Sequence, residues 1–220
     1  MTPDAEQASA ADAYDAVADV YAETYNDELA RKPFDRDVLT AYAAELEGPG
    51  LVADIGCGPG QVTRFLASLG MGGRGLEPLG FDLSPKMVLL AQRLNPDHRF
   101  EVADVRALPL PDGSLAGAVA FYSLIHVPRG EVVAALTEIH RTLCPGSLLL
   151  ISFHIGEGVT HLDTWFEMPV SLNFAFFGLE EMKEYGEEAG FTVELVQVRS
   201  AYPFEVQTER AYIQLRSSKG

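Results

Sequence analysis

The chain has 220 residues, 47% of them apolar and 10% aromatic, a length and composition that suit one globular domain and exclude a disordered chain. Asp and Glu (32) outnumber Lys and Arg (16) for a net charge of −16, which would repel a phosphate backbone and argues against nucleic acid or an anionic membrane as partner. No apolar run approaches the roughly 18 residues that span a bilayer, residues 1–13 are unlike a secretory leader, and the two cysteines, Cys57 and Cys144, suit a reducing cytoplasm.

Residues 1–50 form a helical cap in this reading, with twelve Asp/Glu against three Lys/Arg. Its acids make a solvated helix face, the alternative being a cation-attracting cover over a cleft. One or two helices over 12–46 carry Tyr14, Tyr21, Tyr25 and Tyr42 and break near Lys32-Pro33. A short apolar run, 51–55, is a buried strand that ends in glycines. Val62, Phe65, Leu66 and Leu69 follow at helical spacing, with Gly70 past the end. A second strand, 79–83, leads to Ser84-Pro85, a hydroxyl N-cap followed by proline at the first helical position.

Further strands are expected at 100–103, 117–122 and 148–153, the last two separated by a helix whose face carries Val132, Leu136, Ile139 and Leu143. Residues 154–178 show no period and are expected as a loop on the substrate side. A helix over 179–189 precedes two closing strands, 193–198 and 211–215. Strand–helix alternation implies a doubly wound, Rossmann-like, mostly parallel α/β sheet of seven strands with an antiparallel edge hairpin. The whole chain, 1–220, reads as one domain with a cofactor-binding core at 51–153, and as a monomer or homodimer.

The chemistry concentrates where strands end. Asp54-Ile55-Gly56-Cys57-Gly58-Pro59-Gly60 closes the first strand. Its glycines let backbone approach a ligand, and the next helix aims its first amides at the same place. A ligand-free tight turn is the plain alternative. Asp82 ends the second strand, where a carboxylate can accept both ribose hydroxyls. Asp104 follows the third, placed to accept from an adenine amino group. Three successive strands ending in aspartate on one rim are hard to explain by solvation alone.

Residues 51–151 resemble the class I S-adenosylmethionine-dependent methyltransferases, in the small-molecule branch of the ubiquinone-biosynthesis type. Asp54 to Gly60 is similar to the family's D-x-G-x-G-x-G loop around the methionine part of the cofactor, and Gly80-Phe81-Asp82-Leu83-Ser84, with Met87, to its ribose and adenine segment. Ala103-Asp104-Val105 resembles the adenine segment. Leu108-Pro109-Leu110-Pro111-Asp112-Gly113-Ser114 and Ser123 to Val127 resemble the stretch around the fourth strand, Leu143-Cys144-Pro145-Gly146 the turn before the fifth, and Ala189-Gly190-Phe191 the entry to the closing hairpin. The chain departs at Ala116, where Asp is usual, and at Cys144, where Lys is common. Glu77 rivals Asp82 for the ribose.

The resemblance implies S-adenosyl-L-methionine as cofactor, held by Asp54, Gly56, Cys57, Gly58, Gly60, Asp82, Leu83, Ser84, Met87, Ala103, Asp104, Val105 and Tyr122, with Tyr21 or Tyr14 reaching it from the first helix. It places His126 beside the transferred methyl, where a histidine suits a general base; the alternative is a histidine that bonds the methionine end or caps its own turn. His154, His161 and Asp163 lack a fourth ligand, so no metal is expected. Trp165, Phe166, Phe174, Phe176 and Phe177 make either a pocket for an apolar or aromatic small-molecule acceptor or ordinary packing. Two rival readings share the plan: an NAD(P)-dependent oxidoreductase, whose loop would read G-x-G-x-x-G without a carboxylate beside the pyrophosphate, and a non-catalytic S-adenosylmethionine-binding module.

Overall fold

The computed structural model describes residues 2–218, so Met1 and the last two residues of the expected 1–220 domain lie outside it. Helix α1 (Pro3–Tyr25) starts nine residues before the expected 12. Its signals are a proline at the first position, Asp4 and Glu6 in the first turn, and a Thr2 side chain that accepts the Ala5 amide at 3.3 Å. A short 3₁₀ turn (Glu28–Arg31) and Pro33 separate it from α2 (Pro33–Glu45), the break read near Lys32-Pro33.

The core then alternates as β1 (Gly50–Ile55), α3 (Gln61–Ser68), β2 (Leu76–Asp82), α4 (Pro85–Leu94), β3 (Arg99–Val102), β4 (Leu115–Phe121), α5 (Val132–Thr142) and β5 (Leu143–His154). After a two-stranded insertion come α6 (Leu179–Glu188) and two further strands, β8 (Phe191–Arg199) and β9 (Arg210–Ser217). The sheet order is β3-β2-β1-β4-β5-β9-β8. The first five strands run parallel, and β9 is antiparallel to both neighbours. This is the seven-stranded, mostly parallel sheet with an antiparallel edge that the alternation implied.

Side chains of period two give the sheet two cores. Ala53, Ile55, Phe81, Ala118 and Ile151 meet Leu136 and Ile139 of α5 and Met182 of α6. Val52, Val119 and Leu150 meet Leu39 and Tyr42 of α2 and Leu66 of α3. Helix α1 lies instead on α4, where Ala18 and Ala22 bury Met87 and Leu90. The chain leaves β1 one way to β2 and β3 and the other way to β4 and β5, so a crevice opens above the carboxyl ends of β1 and β4, the place where such sheets bind ligands.

The expected loop at 154–178 is in fact a hairpin, β6 (Val159–Trp165) with β7 (Met168–Ala175). Its two-residue turn is Phe166-Glu167, both at positive φ (49° and 64°). Glycine and asparagine normally occupy such a turn, and neither stands here, so the sequence carries no hairpin signal. Leu172 of β7 packs between Ala10 and Ala13 of α1, and hairpin and helix together make one cap over the crevice.

Candidate functional site

The cleft at the strand ends holds about 980 Å³ of space, including its open mouth. Its floor is the glycine turn. Gly56 and Cys57 both donate their amides to the carbonyl of Phe81, at 2.7 and 2.9 Å, tying the turn to β2. Gly56 has φ +71° and lies against Ser123: an added Cβ would come 2.2 Å from the serine Cβ. Gly60, also at positive φ, serves packing, since a Cβ there would strike Phe100 and Asn95. Gly56, Cys57 and Gly58 line the cleft, whereas Gly60 is not among the lining residues.

Two buried or largely buried carboxylates, Asp54 and Asp82, face the space. Asp54 is buried and accepts the Thr63 hydroxyl at 2.6 Å; burial pushes its carboxyl up to about 7. The Asp82 oxygens accept the amides of Gly58 at 2.8 Å and Ser84 at 2.9 Å. Burial raises its pKa to about 6 against the pull of those amides. Each oxygen keeps a second lone pair for a ligand. Glu77, the rival, is exposed near the start of β2.

Ser84 caps α4 as read, accepting the Met87 amide at 3.0 Å, and Asp15 of α1 accepts the Lys86 amide at 3.0 Å beside it. Leu83, Ser84, Ala103 and Val105 line the cleft. Asp104 does not, because Arg106 claims it: the guanidinium meets both carboxylate oxygens at 2.6–3.1 Å. Burial works the other way, yet Arg106 holds this carboxyl below the usual carboxylate range. Met87 is fully buried under α1 rather than at the cleft.

On the β4 side the wall is Tyr122, Ser123 and His126, with Tyr14 and Tyr21 coming down from α1. Tyr122 holds φ +57°, a strained position for a bulky residue and of the kind that gathers at functional sites. Burial keeps all three tyrosines protonated. His126 has both ring nitrogens engaged: Nδ1 lies 3.0 Å from the Asn173 carbonyl of β7, and Nε2 lies 2.7 Å from the Tyr14 hydroxyl. Burial pushes its pKa down to about 4. Gln7 of α1 donates to the His126 carbonyl at 2.7 Å.

None of the five hairpin-region aromatics lines the cleft. Trp165 stands edge-on to Tyr14 and Tyr21 at 5.5 and 5.4 Å, and Phe174 to His126 at 4.7 Å. Phe166 stacks on Trp165, Phe176 lies edge-on to His154, and Phe177 is in the core. His161 lies 3.2 Å from Asp163, while His154 is bonded to Thr208 elsewhere.

Sequence reasoning missed Gln61 and Ser123, which share a telling feature. Gln61 Oε1 and Ser123 Oγ are buried without any hydrogen-bond partner, and both residues line the cleft. Gln61 could have been found as the first helical residue after the glycine turn. Glu28 and Gln7, also in the wall, arrive only through tertiary folding.

Residues 52–146 match the family model described as a methyltransferase domain. The chain is 29% identical over 154 residues to a malonyl-[acyl-carrier protein] O-methyltransferase of Serratia marcescens, covering 68% of this chain and 57% of that protein. It is 37% identical over 111 residues to a trans-aconitate 2-methyltransferase of Methylobacterium nodulans, covering 48% and 39%. The chain thus spans about half the length of these curated relatives, or less. In fold it matches the magnesium protoporphyrin IX methyltransferase of Synechocystis PCC 6803, solved with bound SAH, at a TM-score of 0.73 and 17% identity over 97% of this chain and 100% of that one. Residues 52–146 are thus similar to a methyltransferase domain, and the sheet as a whole shares the fold of a solved methyltransferase.

Proposed function

We propose that this protein is an S-adenosyl-L-methionine-dependent methyltransferase that moves a methyl group to a small-molecule acceptor. The observation that carries the reading is the cleft itself: a glycine turn, two buried carboxylates and two unpartnered buried polar atoms meet at the switch point of the sheet. These residues fit the cofactor. Asp82 offers two lone pairs to ribose hydroxyls, Asp54 offers negative charge to a cationic ligand, and Gln61 and Ser123 hold free acceptor and donor capacity for a zwitterionic tail. Gly56, Cys57, Gly58, Leu83, Ser84, Ala103 and Val105 supply close backbone and apolar walls.

The cofactor supplies a methyl group on a sulfonium, transferred by in-line displacement. What the chain supplies is position. Holding two reactants in line contributes roughly 7–11 kcal/mol to such a step, and α1 adds Tyr14 and Tyr21 to the cleft wall. His126 was expected as a base. To act as one, its Nε2 would first have to release the Tyr14 hydroxyl, and burial makes it a weak acceptor of protons. These features support a positioning role for it.

Among the relatives' acceptors, a malonyl group on a carrier protein and trans-aconitate support a small or carrier-borne acceptor here. Ala10, Ala11 and the rings of Tyr14 and Tyr21 in the cleft wall support one with an apolar part. A cytoplasmic location belongs to the same reading, supported by two unpaired cysteines; among the described residues no helix is long and apolar enough to cross a membrane.

Calorimetry with S-adenosylmethionine and NAD in parallel tests the cofactor, and methyl-labelled cofactor incubated with cell extract tests turnover. Binding of NAD alone would favour the oxidoreductase. Tight S-adenosylmethionine binding with no labelled product from any extract would favour a binding module.

A further inference from the structure

A cluster of cations lies just behind the cleft wall, where Glu28 and Tyr122 line the space. The Lys32 ammonium meets Glu28 Oε2 at 2.7 Å and Glu205 Oε1 at 3.0 Å, and stands 5.7 Å from the centre of the Tyr122 ring. The Glu205 carboxylate also accepts from both terminal nitrogens of Arg199, at 2.6 and 3.0 Å, and from the Tyr202 amide at 2.8 Å. Arg210 completes the surround. It is 2% exposed, and its Nε has no hydrogen-bond partner among the described residues. Glu205 Oε2 stands 3.6 Å from that nitrogen, beyond bonding reach. An unmet buried donor is costly, so the pocket asks for a carboxylate that Glu205 only partly supplies.

Charge points the same way. Lys32, Arg199 and Arg210 face Glu28, Asp35 and Glu205, three against three, with Arg199 also paired to Asp35 at 2.9 Å. Withdrawing Glu205 would leave one buried positive charge uncompensated, and another anion restores the balance. Glu205 sits in the connection 200–209 between β8 and β9. Phe204 and Val206 on either side of it are exposed (48% and 70%), so this stretch can lift away without opening the apolar core.

We propose that Lys32, Arg199 and Arg210 form a carboxylate subsite for the methyl acceptor, filled in this structure by Glu205 as an internal stand-in. The acceptor is then an organic acid whose carboxylate replaces Glu205 while its apolar part lies along Tyr122. The carboxylate serves as a handle, and no bond to it is made or broken. The assignment rests on the methyltransferase reading above and narrows its acceptor to one chemical class.

The test is calorimetry on the full chain saturated with S-adenosylhomocysteine, using 3-phenylpropanoate and its neutral amide, 3-phenylpropanamide, as probes. Wild type should bind the acid roughly tenfold or more tighter than the amide. Glu205→Gln keeps the shape and removes the competing charge, so it should bind the acid roughly tenfold tighter than wild type does, with the amide unchanged. Glu205→Ala empties the pocket; acetate should raise its melting midpoint and acetamide should not. Equal affinity for acid and amide, binding of neither, a Glu205→Gln variant that gains nothing, or a Glu205→Ala variant indifferent to acetate overturns the proposal and leaves Glu205 as a loop anchor. Wild type that binds no S-adenosylhomocysteine defeats the cofactor reading, and this inference with it. Binding of S-adenosylhomocysteine without a preference for the acid overturns this inference alone.

Discussion

The rim of the sheet and the cap above it are built on different principles. At the rim, neighbours in sequence make the site: Asp54 and the glycine turn lie within seven residues, and Asp82, Leu83 and Ser84 are consecutive. In the cap, the contacts that join α1 to the hairpin and to the end of β4 span long stretches of chain. Tyr14 meets His126 across 112 residues, and the Asn173 side chain meets Glu6 of α1 across 167.

The sharpest way to break that comparison is at the rim. Asp82→Ala should weaken S-adenosylmethionine binding on the order of a hundredfold, since two hydrogen bonds to a charged group are lost. Calorimetry measures it, and an unchanged affinity would mean that the carboxylate faces something else. Gly56→Ala should next cost about 2 kcal/mol or more of stability, through positive φ and collision with Ser123, read as a lower urea midpoint with an unchanged slope.

Cap substitutions should be milder. Trp165→Ala removes edge-on contacts to Tyr14 and Tyr21 and should destabilise by about 1 kcal/mol. Amide exchange should quicken over 159–175 and stay unchanged in β1 and β2. Equal quickening in both regions would show that cap and rim unfold as one unit.

The rim carboxylates can also be tested through pH. Asp54 and Asp82 have raised pKa values, about 7 and about 6, so below those values the free protein holds them protonated. A cationic ligand favours the ionised forms. Its affinity should therefore fall as pH drops from 7 towards 5, with proton release on binding, visible in calorimetry across buffers of different ionisation enthalpy.

How much was legible follows the same division. The parallel sheet, the Ser84 cap and the lining by Asp54 and Asp82 could be read because strand ends and glycines announce them locally. Asp104 was legible as a strand-end acid, but Arg106, two residues on, folds back onto it. Met87 and Gly60 were read as ligand contacts and went to packing, against α1 and Phe100 respectively. The hairpin was hidden because Phe166-Glu167 makes a turn that its residue types do not advertise.

The insertion that carries β6 and β7 leaves and rejoins the body at a narrow neck. Ile155 and Phe177 form a bridge there, the Gly156 amide donates to the Phe177 carbonyl at 3.2 Å, and that of Phe177 to the His154 carbonyl at 3.3 Å. Its two ends are thus stapled together before the hairpin begins. A segment so attached can be lengthened, shortened or exchanged while β5 and α6 stay in place, so some twenty residues can be rewritten without disturbing the sheet beneath.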